Sequence, residues 1–370
     1  MSVTTATVVD VAVIGAGPAG AVAACLLARA GRMVVLLDPR LGDDTAPAKP
    51  GEALPGAAGR LLRACDLPPL AEGGNHRSIG GNISVWGWPE SVQRDFLADP
   101  DGPGWRLDRR VFEADLVTAA AAAGVSLRAH TARRAAREGD TWRIALQGDG
   151  DLGARWIVDA SGRAARLARE LGARRHRDED LVAVVGRGRP DPAFTLNRTL
   201  IEASPHGWWY AAVLPDGAPI FMLHTRPDDA VRLIAAPAEW QSMLAATRHV
   251  AAAFPGPTFD AGPRGFEACG AWLDPVRGDG WVACGDAALS FDPLASQGIF
   301  SALHGAMEVA KAVDAAMRGD AAPLDAYTAR LLEIRRIYRG RVRAYYAQEQ
   351  RWPDAPFWRD RRAPTISSSE

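Results

Sequence analysis

The chain has 370 residues, of which 48% are hydrophobic and 24% charged, and its 43 Lys and Arg residues balance its 44 Asp and Glu residues. This length fits two or three domains with a sizeable core. The near-neutral charge argues against nucleic-acid binding, which needs a surplus of cations to neutralise phosphates. Among these cations only Lys49 and Lys311 are lysines, and this scarcity bears on the reaction.

The apolar stretch at residues 8–14 is too short for a signal peptide or a membrane span. The four cysteines, Cys25, Cys65, Cys269 and Cys284, form no Cys-x-x-Cys pair and have no histidine at metal-ligand spacing. These features predict free thiols, no metal site, no membrane contact and a cytoplasmic location.

The predicted elements alternate between strands and helices along the chain. Strands are predicted at residues 8–14, 33–37, 86–88, 125–131, 141–146, 155–159, 208–213, 219–223 and 281–284. Helices are predicted up to residue 30 and at residues 107–123, 237–250, 298–317 and 324–350, the second of these with Asp108 as its N-cap. Residues 353–370 are predicted to form a loosely attached tail.

A Gly-rich turn joins the first predicted strand to the first helix. In its Gly15-x-Gly17-x-x-Gly20 pattern, Gly15 permits the tight turn, and Gly17 lets backbone N–H groups approach a pyrophosphate. Gly20 allows the helix to pack closely on the strand. Asp38 ends the second strand, where a carboxylate accepts hydrogen bonds from an adenosine ribose. The pattern predicts a bound dinucleotide without distinguishing FAD from NAD.

Two later turns follow predicted strands, at Asp159-Ala160-Ser161-Gly162 and at Gly285-Asp286-Ala287-Ala288. With the N-terminal glycines, they resemble the three FAD signatures of flavoproteins of the glutathione-reductase and aromatic-hydroxylase type. The resemblance implies that Asp286 hydrogen-bonds a ribityl hydroxyl and that the Asp159–Gly162 turn lies close to the cofactor. It also places Arg109 on the diphosphate side, where a guanidinium offers bidentate donors.

The stretch from Asp292 to Ile299 opens the predicted helix at 298–317. A helix N-terminus aimed at the flavin would favour the negative charge of the reduced ring, with Pro293 packed at the flavin edge. The complete set of predicted cofactor-binding residues is Gly15, Gly17, Pro18, Ala19, Gly20, Asp38, Pro39, Arg40, Arg109, Asp159, Ser161, Gly162, Asp286, Pro293, Gln297, Gly298 and Ile299.

The pattern Asp-Pro-Leu-x-Ser-x-Gly-Ile resembles a hallmark of the flavin-dependent tryptophan halogenases and their relatives, and Pro50-Gly51-Glu52-Ala53-Leu54-Pro55 looks like the loop beside their flavin. A halogenase also has a catalytic Lys after that loop and a Glu in the later pattern. Here Ala295 takes the place of that Glu, and no Lys lies between residues 50 and 310. Gly207-Trp208-Trp209-Tyr210 stands where the halogenases have Trp-x-Trp-x-Ile-Pro. These departures disfavour halogenation.

A closer resemblance is to the non-halogenating branch, whose flavoproteins modify a protein-bound Trp during maturation of quinone-cofactor enzymes such as the lysine-oxidase, glycine-oxidase and quinohemoprotein amine dehydrogenase systems. It extends from about residue 8 to residue 315. The stretches that carry it are residues 50–55, Ser84-Val85-Trp86-Gly87, Gly104-Trp105-Arg106-Leu107-Asp108-Arg109, Gly207-Trp208-Trp209-Tyr210 and residues 291–298.

The resemblance implies an α/β FAD fold of the glutathione-reductase and aromatic-hydroxylase type, with an interleaved mixed β-sheet substrate domain and a C-terminal helix. The expected FAD-binding domain is discontinuous, at residues 1–50, 105–185 and 265–320. Residues 51–104 and 186–264 form the expected substrate-binding domain, and residues 321–370 the C-terminal helix and tail.

The implied activity is that of an FAD-dependent monooxygenase, in which a flavin C4a-hydroperoxide hydroxylates an indole or phenol, with O2 as co-substrate. The substrate is either an aromatic small molecule or a Trp in a protein or peptide. NAD(P)H or a separate flavin reductase would reduce the FAD. Three alternatives stay open: a flavin-dependent reductase or desaturase, a halogenase, and a non-enzymatic FAD-containing interaction protein. The oligomeric state is not predicted.

Glu52 and His76 are the candidate catalytic residues. Glu52 is either a base or substrate-orienting group beside the flavin or a surface-loop carboxylate, and His76 lies in a Gly-rich segment expected to face the substrate. Trp86, Trp88, Trp208 and Trp209 either line an aromatic pocket or pack in the core, because alternate residues of a strand face opposite sides. The arginines between residues 335 and 343 form either a solvated helix face or a docking site for an acidic partner.

Overall fold

The computed structural model describes residues 8–43, 49–71, 74–96, 99–148 and 150–362. The strands in these ranges are β1 (Val8–Ile14), β2 (Val34–Leu37), β3 (Ala53–Leu54), β4 (His76–Ile79), β5 (Gly81–Val85), β6 (Val92–Asp95), β7 (Gly104–Leu107), β8 (Ser126–Arg128), β9 (Ala132–Glu138), β10 (Thr141–Leu146), β11 (Asp151–Asp159), β12 (Arg174–Arg177), β13 (Val182–Arg187), β14 (Thr199–Ser204), β15 (Gly207–Val213), β16 (Pro219–Thr225), β17 (Arg264–Glu267), β18 (Ala271–Asp274), β19 (Arg277–Gly278), β20 (Trp281–Ala283) and β21 (Leu289–Ser290).

The helices in the same ranges are α1 (Pro18–Arg29), α2 (Ala58–Ala64), α3 (Arg109–Ala122), α4 (Arg166–Glu170), α5 (Pro227–Ala235), α6 (Pro237–Ala245), α7 (His249–Ala253), α8 (Gly298–Met317), α9 (Ala322–Gln348) and α10 (Pro356–Arg362). None of the described helices is both long and apolar enough to cross a membrane. The four cysteines are free and buried.

An eight-stranded sheet forms the centre of the fold. β20, β11, β1, β2 and β8 lie side by side in parallel. β9 and β10 form an antiparallel hairpin, and β10 pairs with the first half of β11. α1, α3 and α8 cover one face of the sheet, while on the other face α4 packs in one cluster with side chains of β9, β10 and β11. β1 is apolar almost throughout because both of its faces are buried. The predicted βαβ unit and α/β architecture are confirmed.

A second sheet of seven strands has the order β17-β13-β16-β15-β14-β5-β6. Its two faces explain the paired tryptophans of β15. Trp209 packs against Trp240 beneath α5, α6 and α7, whereas Trp208 faces the opposite side and stacks on His224 at 3.6 Å between ring centroids. Two smaller sheets of three strands have the orders β12-β18-β21 and β3-β7-β4.

Two predictions about local structure are wrong. The single helix predicted at residues 237–250 is two helices, because α6 ends at Ala245 and α7 begins at His249. Glu202 of β14 then accepts the N–H groups of residues 248–250 and starts a separate α7. Trp86 and Trp88 do not lie in a strand, since β5 ends at Val85 and Gly87 has a φ of +77°.

The prediction of a loose tail from residue 353 is also wrong for the part that is described. α10 packs on the face of the second sheet that carries Trp208, and Trp358 is 0% exposed. The Trp358 indole N–H donates to the Ser204 carbonyl at 2.7 Å, and its ring lies against Trp86 at 5.3 Å. Hydrophobic burial therefore anchors this segment despite its prolines. Residues 363–370 lie outside the described ranges.

We expect Trp358→Phe to lower the free energy of unfolding by about 1–3 kcal/mol, because the Ser204 carbonyl loses its donor and a cavity opens. Trp88 is 73% exposed and is the matched control. Trp88→Phe should change stability by less than about 0.5 kcal/mol. Urea unfolding followed by circular dichroism measures both changes. Equal losses in the two variants would contradict the anchoring role of α10.

Candidate active site

The turns that carry the three predicted cofactor motifs emerge at one edge of the central sheet. β1, β11 and β20 are parallel neighbours, with Ile14 opposite Asp159 and Asp159 opposite Ala283. The Gly15 turn, the turn from Asp159 to Gly162 and the turn at residues 285–287 therefore lie side by side. Open α/β sheets bind their ligands at this carboxyl edge.

The glycines of the first turn differ in the space around them. A Cβ at Gly15, whose φ is +102°, would lie 2.4 Å from the Ala160 carbonyl oxygen, and one at Gly20 would lie 1.8 Å from the Gly15 carbonyl oxygen. These contacts exclude a side chain and let α1 pack tightly. A Cβ at Gly17 would instead meet no atom within 4 Å, and α1 begins at Pro18 without a side-chain cap. This open, uncapped helix start fits a diphosphate.

Asp38 follows β2 with its carboxylate turned toward the Gly-rich turn. It accepts hydrogen bonds from the N–H groups of Ala16 at 3.0 Å and Arg40 at 2.9 Å. Burial opposes its ionisation, but these N–H groups and the Arg40 guanidinium hold the pKa of Asp38 below its usual value. The ionised carboxylate suits the predicted ribose contact. Pro39 and Arg40 themselves are exposed.

A cavity of about 290 Å³ extends from Asp38 to the start of α3. Arg109 lines it, donates to the carbonyls of residues 50 and 51, and pairs with Glu113, which also binds Lys49 at 2.8 Å. The Arg109 Nε is buried without a hydrogen-bond partner among the described residues. An orphaned guanidinium donor beside this cavity fits an anionic part of the cofactor.

The N-terminal turns of α1 and α8 meet at Gly285. A Cβ there would lie 2.7 Å from the Ala19 Cβ on α1 and 3.7 Å from the Ala302 Cβ on α8. α8 begins after Gln297 without a side-chain cap, and a Cβ at Gly298 would meet nothing within 4 Å. Two uncapped helix starts give this region a positive potential, which favours a diphosphate and an anionic reduced flavin.

The two motif aspartates after β11 and β20 have different surroundings. Asp159 is buried and accepts from the N–H groups of Ser161 at 2.9 Å and Ala168 at 2.7 Å, so it holds its own turn against α4. Asp286 is partly exposed, lies 3.5 Å from the Arg163 guanidinium and lines a cavity of about 250 Å³. Asp286 therefore keeps its carboxylate accessible to a ligand, whereas both oxygens of Asp159 are engaged.

Asp292 is fully buried between the loop before α8 and the second half of α9. Its carboxylate accepts from the Tyr346 hydroxyl at 2.7 Å and the Leu294 N–H at 2.8 Å. Burial raises the pKa of Asp292, and the Arg361 guanidinium opposes this rise. Asp292 thus caps the short 3₁₀ turn that begins at Pro293. The other predicted residues of this segment are half-buried (Pro293, Ile299) or exposed (Gln297, Gly298).

Glu52 belongs to a buried polar network between β7 and the second sheet. Its carboxylate accepts from the Tyr210 hydroxyl at 2.6 Å, the Arg106 guanidinium at 3.3 Å and the Gly51 N–H at 3.1 Å. Arg106 also donates to the Thr199 hydroxyl at 3.0 Å, and its Nε has no partner among the described residues. Burial raises the pKa of the Tyr210 phenol, so Tyr210 stays protonated.

His76 lies on β4, on the other side of β7 from Glu52. Its Nδ1 accepts the Asp108 N–H at 3.2 Å, and its ring meets Phe112 edge-on at 6.1 Å between centroids. Burial lowers the pKa of His76. A neutral ring with Nδ1 engaged supports the start of α3, where Asp108 is the predicted N-cap. The structure therefore does not bring Glu52 and His76 together as an acid–base pair.

Sequence reasoning missed Arg106 and Tyr210 as partners of Glu52. Both lie in stretches that carry the resemblance to the non-halogenating branch, and an Arg within the short apolar strand β7 is a signal of a paired buried charge.

The run of arginines on α9 is predicted to be either a solvated face or a docking site. The guanidinium groups of Arg335 and Arg339 lie 2.6 Å and 3.4 Å from the Asp178 carboxylate, so two arginines of this run form ion pairs within the fold.

Comparison with known proteins gives two family matches. A model described as tryptophan halogenase matches residues 93–370, and a model described as FAD binding domain matches residues 8–50. The first covers well over half of the chain. Together they span the cofactor motifs, the Glu52 network partners on β7 and β15, and the C-terminal helices.

Individual relatives extend these matches. The chain is 30% identical to the putative FAD-dependent oxidoreductase LodB of Marinomonas mediterranea, over 96% of this chain and 97% of LodB. Its fold is similar to the myxobacterial chondrochloren halogenase CndH, with a TM-score of 0.83, 24% identity, and 97% of this chain and 87% of that chain covered. It is also similar to QhpG, described as a peptidyl tryptophan dihydroxylase essential for tryptophylquinone cofactor biogenesis, with a TM-score of 0.75, 23% identity and coverage of 98% and 80%. The predicted FAD fold and the resemblance to halogenase-like flavoproteins are confirmed.

Proposed function

The chain belongs to the tryptophan halogenase family of FAD-dependent oxidoreductases, and we propose that it is a monooxygenase that hydroxylates an electron-rich aromatic ring, with a Trp side chain in a protein or peptide as the favoured substrate. The likeness to QhpG, which is described as a peptidyl tryptophan dihydroxylase, supports this choice over a free small molecule. The four cysteines are free thiols, which are typical of a reducing compartment, so we propose the cytoplasm as the location.

The described residues fit FAD in a position that joins the three motif turns. When bound and reduced, FAD would supply the electrons that activate O2, and O2 would supply the oxygen atom that is added to the ring. The start of α1 and Arg109 would hold the diphosphate, and Asp38 the adenosine ribose. The start of α8 would stabilise negative charge on the reduced cofactor.

The Glu52 network would support one wall of the proposed substrate site. Glu52 fixes the Tyr210 hydroxyl and the Arg106 guanidinium, and the half-buried ring of Tyr210 is the part of this network that would face a substrate. An indole or phenol is nucleophilic enough to react without a base, so we assign Glu52 the task of holding Tyr210, which would orient the ring. His76 is assigned to support of the start of α3.

The placement of the two lysines carries the choice of hydroxylation over halogenation. Lys49 binds Glu113 at 2.8 Å in the cavity that contains Asp38, on the proposed ribose side. Lys311 lies thirteen residues into α8, about 20 Å along the helix from Gly298. The Lys49 ammonium is thus engaged by a carboxylate, Lys311 lies far along α8, and Ala295 replaces the acidic residue of the halogenase pattern.

Single-turnover oxidation under isotopically labelled O2 tests this function. The protein would receive chemically reduced FAD and a Trp-containing peptide copied from the product of a neighbouring gene, with free indole and phenol in parallel. The expected product gains oxygen from O2 and is unaffected by bromide or chloride. A halide-dependent mass gain would establish the halogenase alternative, and substrate reduction without oxygen gain would establish the reductase alternative.

Asp286→Asn should weaken FAD binding by about tenfold, because an amide is a poorer acceptor than a carboxylate for a ribityl hydroxyl. Asp286 is accessible and has one ion pair, with Arg163, among the described residues. Flavin absorbance per chain after gel filtration measures occupancy. Asp279→Asn, at an exposed carboxylate that pairs with Arg137, is the control and should retain full flavin. Full occupancy in Asp286→Asn would contradict the ribityl assignment.

A further inference from the structure

A groove lined by arginines lies outside the proposed active site, along β9, α4 and β12. This arginine groove has a volume of about 950 Å³. Glu170 is the one acidic side chain among the described residues of its lining. The guanidinium groups that line it come from Arg133, Arg134, Arg166, Arg169, Arg174 and Arg175.

Most of these cations have no counter-charge. Arg175 pairs with Glu267 at 2.7 Å, and Arg134 lies 3.8 Å from Glu170. The other four, at residues 133, 166, 169 and 174, are exposed and form no ion pair with any residue in the described ranges. The whole chain carries a net charge of −1, so the groove is a local concentration of positive charge. A concave surface of one sign attracts ligands of the opposite sign.

The form of the groove favours an extended acidic segment over a dinucleotide. Its arginines come from three separate elements, which matches carboxylates spaced along a chain, each able to take a bidentate guanidinium contact. A dinucleotide would need a slot for its flat rings. His176 has the one aromatic ring in the described lining, and that ring is already stacked on Trp272 at 5.3 Å between centroids.

The groove lies close to the proposed flavin site. β12 pairs with β18, and β18 pairs with β21, which ends at Ser290 just before the Asp292 loop. Two strand steps correspond to about 10 Å. Arg175 reaches the Ser290 hydroxyl at 3.5 Å across this small sheet. A protein segment bound in the groove would therefore lie close to the loop that precedes α8.

We propose that the arginine groove is a docking site for an acidic segment of a protein partner. The inference goes beyond the proposed function, because docking involves no turnover and can be measured without knowing the reaction. Charged contacts of this kind accelerate association and weaken as salt rises.

The test measures binding of a fluorescein-labelled synthetic peptide of Glu and Ser to the FAD-loaded protein by fluorescence anisotropy at low salt. The groove variant combines Arg133→Gln, Arg169→Gln and Arg174→Gln. The matched control combines Arg63→Gln, Arg94→Gln and Arg264→Gln, which removes the same charge from exposed arginines that form no ion pair in the described ranges. Flavin content verifies that both variants are folded.

The groove variant should bind the peptide at least about tenfold more weakly than the wild type, while the control triple stays within about twofold. Added NaCl should weaken binding to the wild type. No peptide binding by the wild type, or equal losses in the two triples, would overturn the proposal. So would displacement of the peptide by equimolar NADPH or pyrophosphate, which would identify the groove as a small-anion site.

Discussion

The Gly17→Asp variant is expected to fold like the wild type and to lose its FAD. Gly17 has a φ of −71° and a ψ of −179°, which Asp adopts without strain, and a Cβ there would meet no atom within 4 Å. Asp is also a favourable N-cap for α1. Its charge, however, would face the diphosphate, and like charges about 4 Å apart repel by about 4 kcal/mol at an effective dielectric constant of about 20. FAD affinity should fall more than about 100-fold in a fluorescence titration.

Gly17→Asn separates the effect of charge from that of size. Asn fills the same space and caps the helix equally well, but it carries no charge. We expect it to retain markedly more FAD affinity than Asp, with the melting temperature of both flavin-free variants at or above that of the wild type. If Asn weakens binding as much as Asp, steric exclusion explains the loss. If Asp keeps its FAD, the diphosphate does not lie at the start of α1.

The cofactor half of the fold could be predicted because its signals are local. The strand, glycine turn and helix at residues 8–29 follow each other in sequence, and the roles of Gly15 and Gly20 depend on contacts within that unit and with the adjacent turn. The long amphipathic helices α8 and α9 begin and end within two residues of their predicted limits. Short-range periodicity and turn chemistry suffice for such elements.

The substrate side could not be predicted in the same way, because its contacts join distant residues. Glu52 meets Arg106 and Tyr210, which lie 54 and 158 residues away. The predicted helix at 237–250 is divided because Glu202, on another element, caps α7. Trp358 anchors a segment whose composition resembles a tail. In each case tertiary packing overrides the local preference of the sequence.

The arginine groove shows the same limit for charge. The sequence draws attention to the arginines of α9, yet two of them bind Asp178, which belongs to the loop after β12. The unpaired arginines come from three elements that are separated along the chain. Their convergence is visible only after β9, α4 and β12 are placed side by side. A run of like charges in sequence therefore predicts a docking surface less well than a folded cluster does.

Glu52→Ala is expected to destabilise the protein by about 3–5 kcal/mol, because it leaves the buried Arg106 guanidinium without its carboxylate. Arg106 and Glu52 are 1% and 2% exposed, so water cannot replace the lost partner. The Tyr210 hydroxyl also loses its acceptor. The free energy of unfolding from urea titration measures this loss. Glu138→Ala, which breaks an exposed ion pair with Arg143, is the control and should cause no measurable loss.

The double variant Glu52→Ala with Arg106→Met distinguishes a buried charge from a simple cavity. Removing both charges should recover a large part of the stability lost by Glu52→Ala alone, because the uncompensated guanidinium is gone and Met fills its volume. The single variant Arg106→Met completes the double-mutant cycle, and the coupling between the two positions should exceed about 1 kcal/mol. If the double variant is less stable than Glu52→Ala, the loss comes from packing, and Glu52 does not act as the counter-ion that holds Arg106 and Tyr210 toward the proposed substrate.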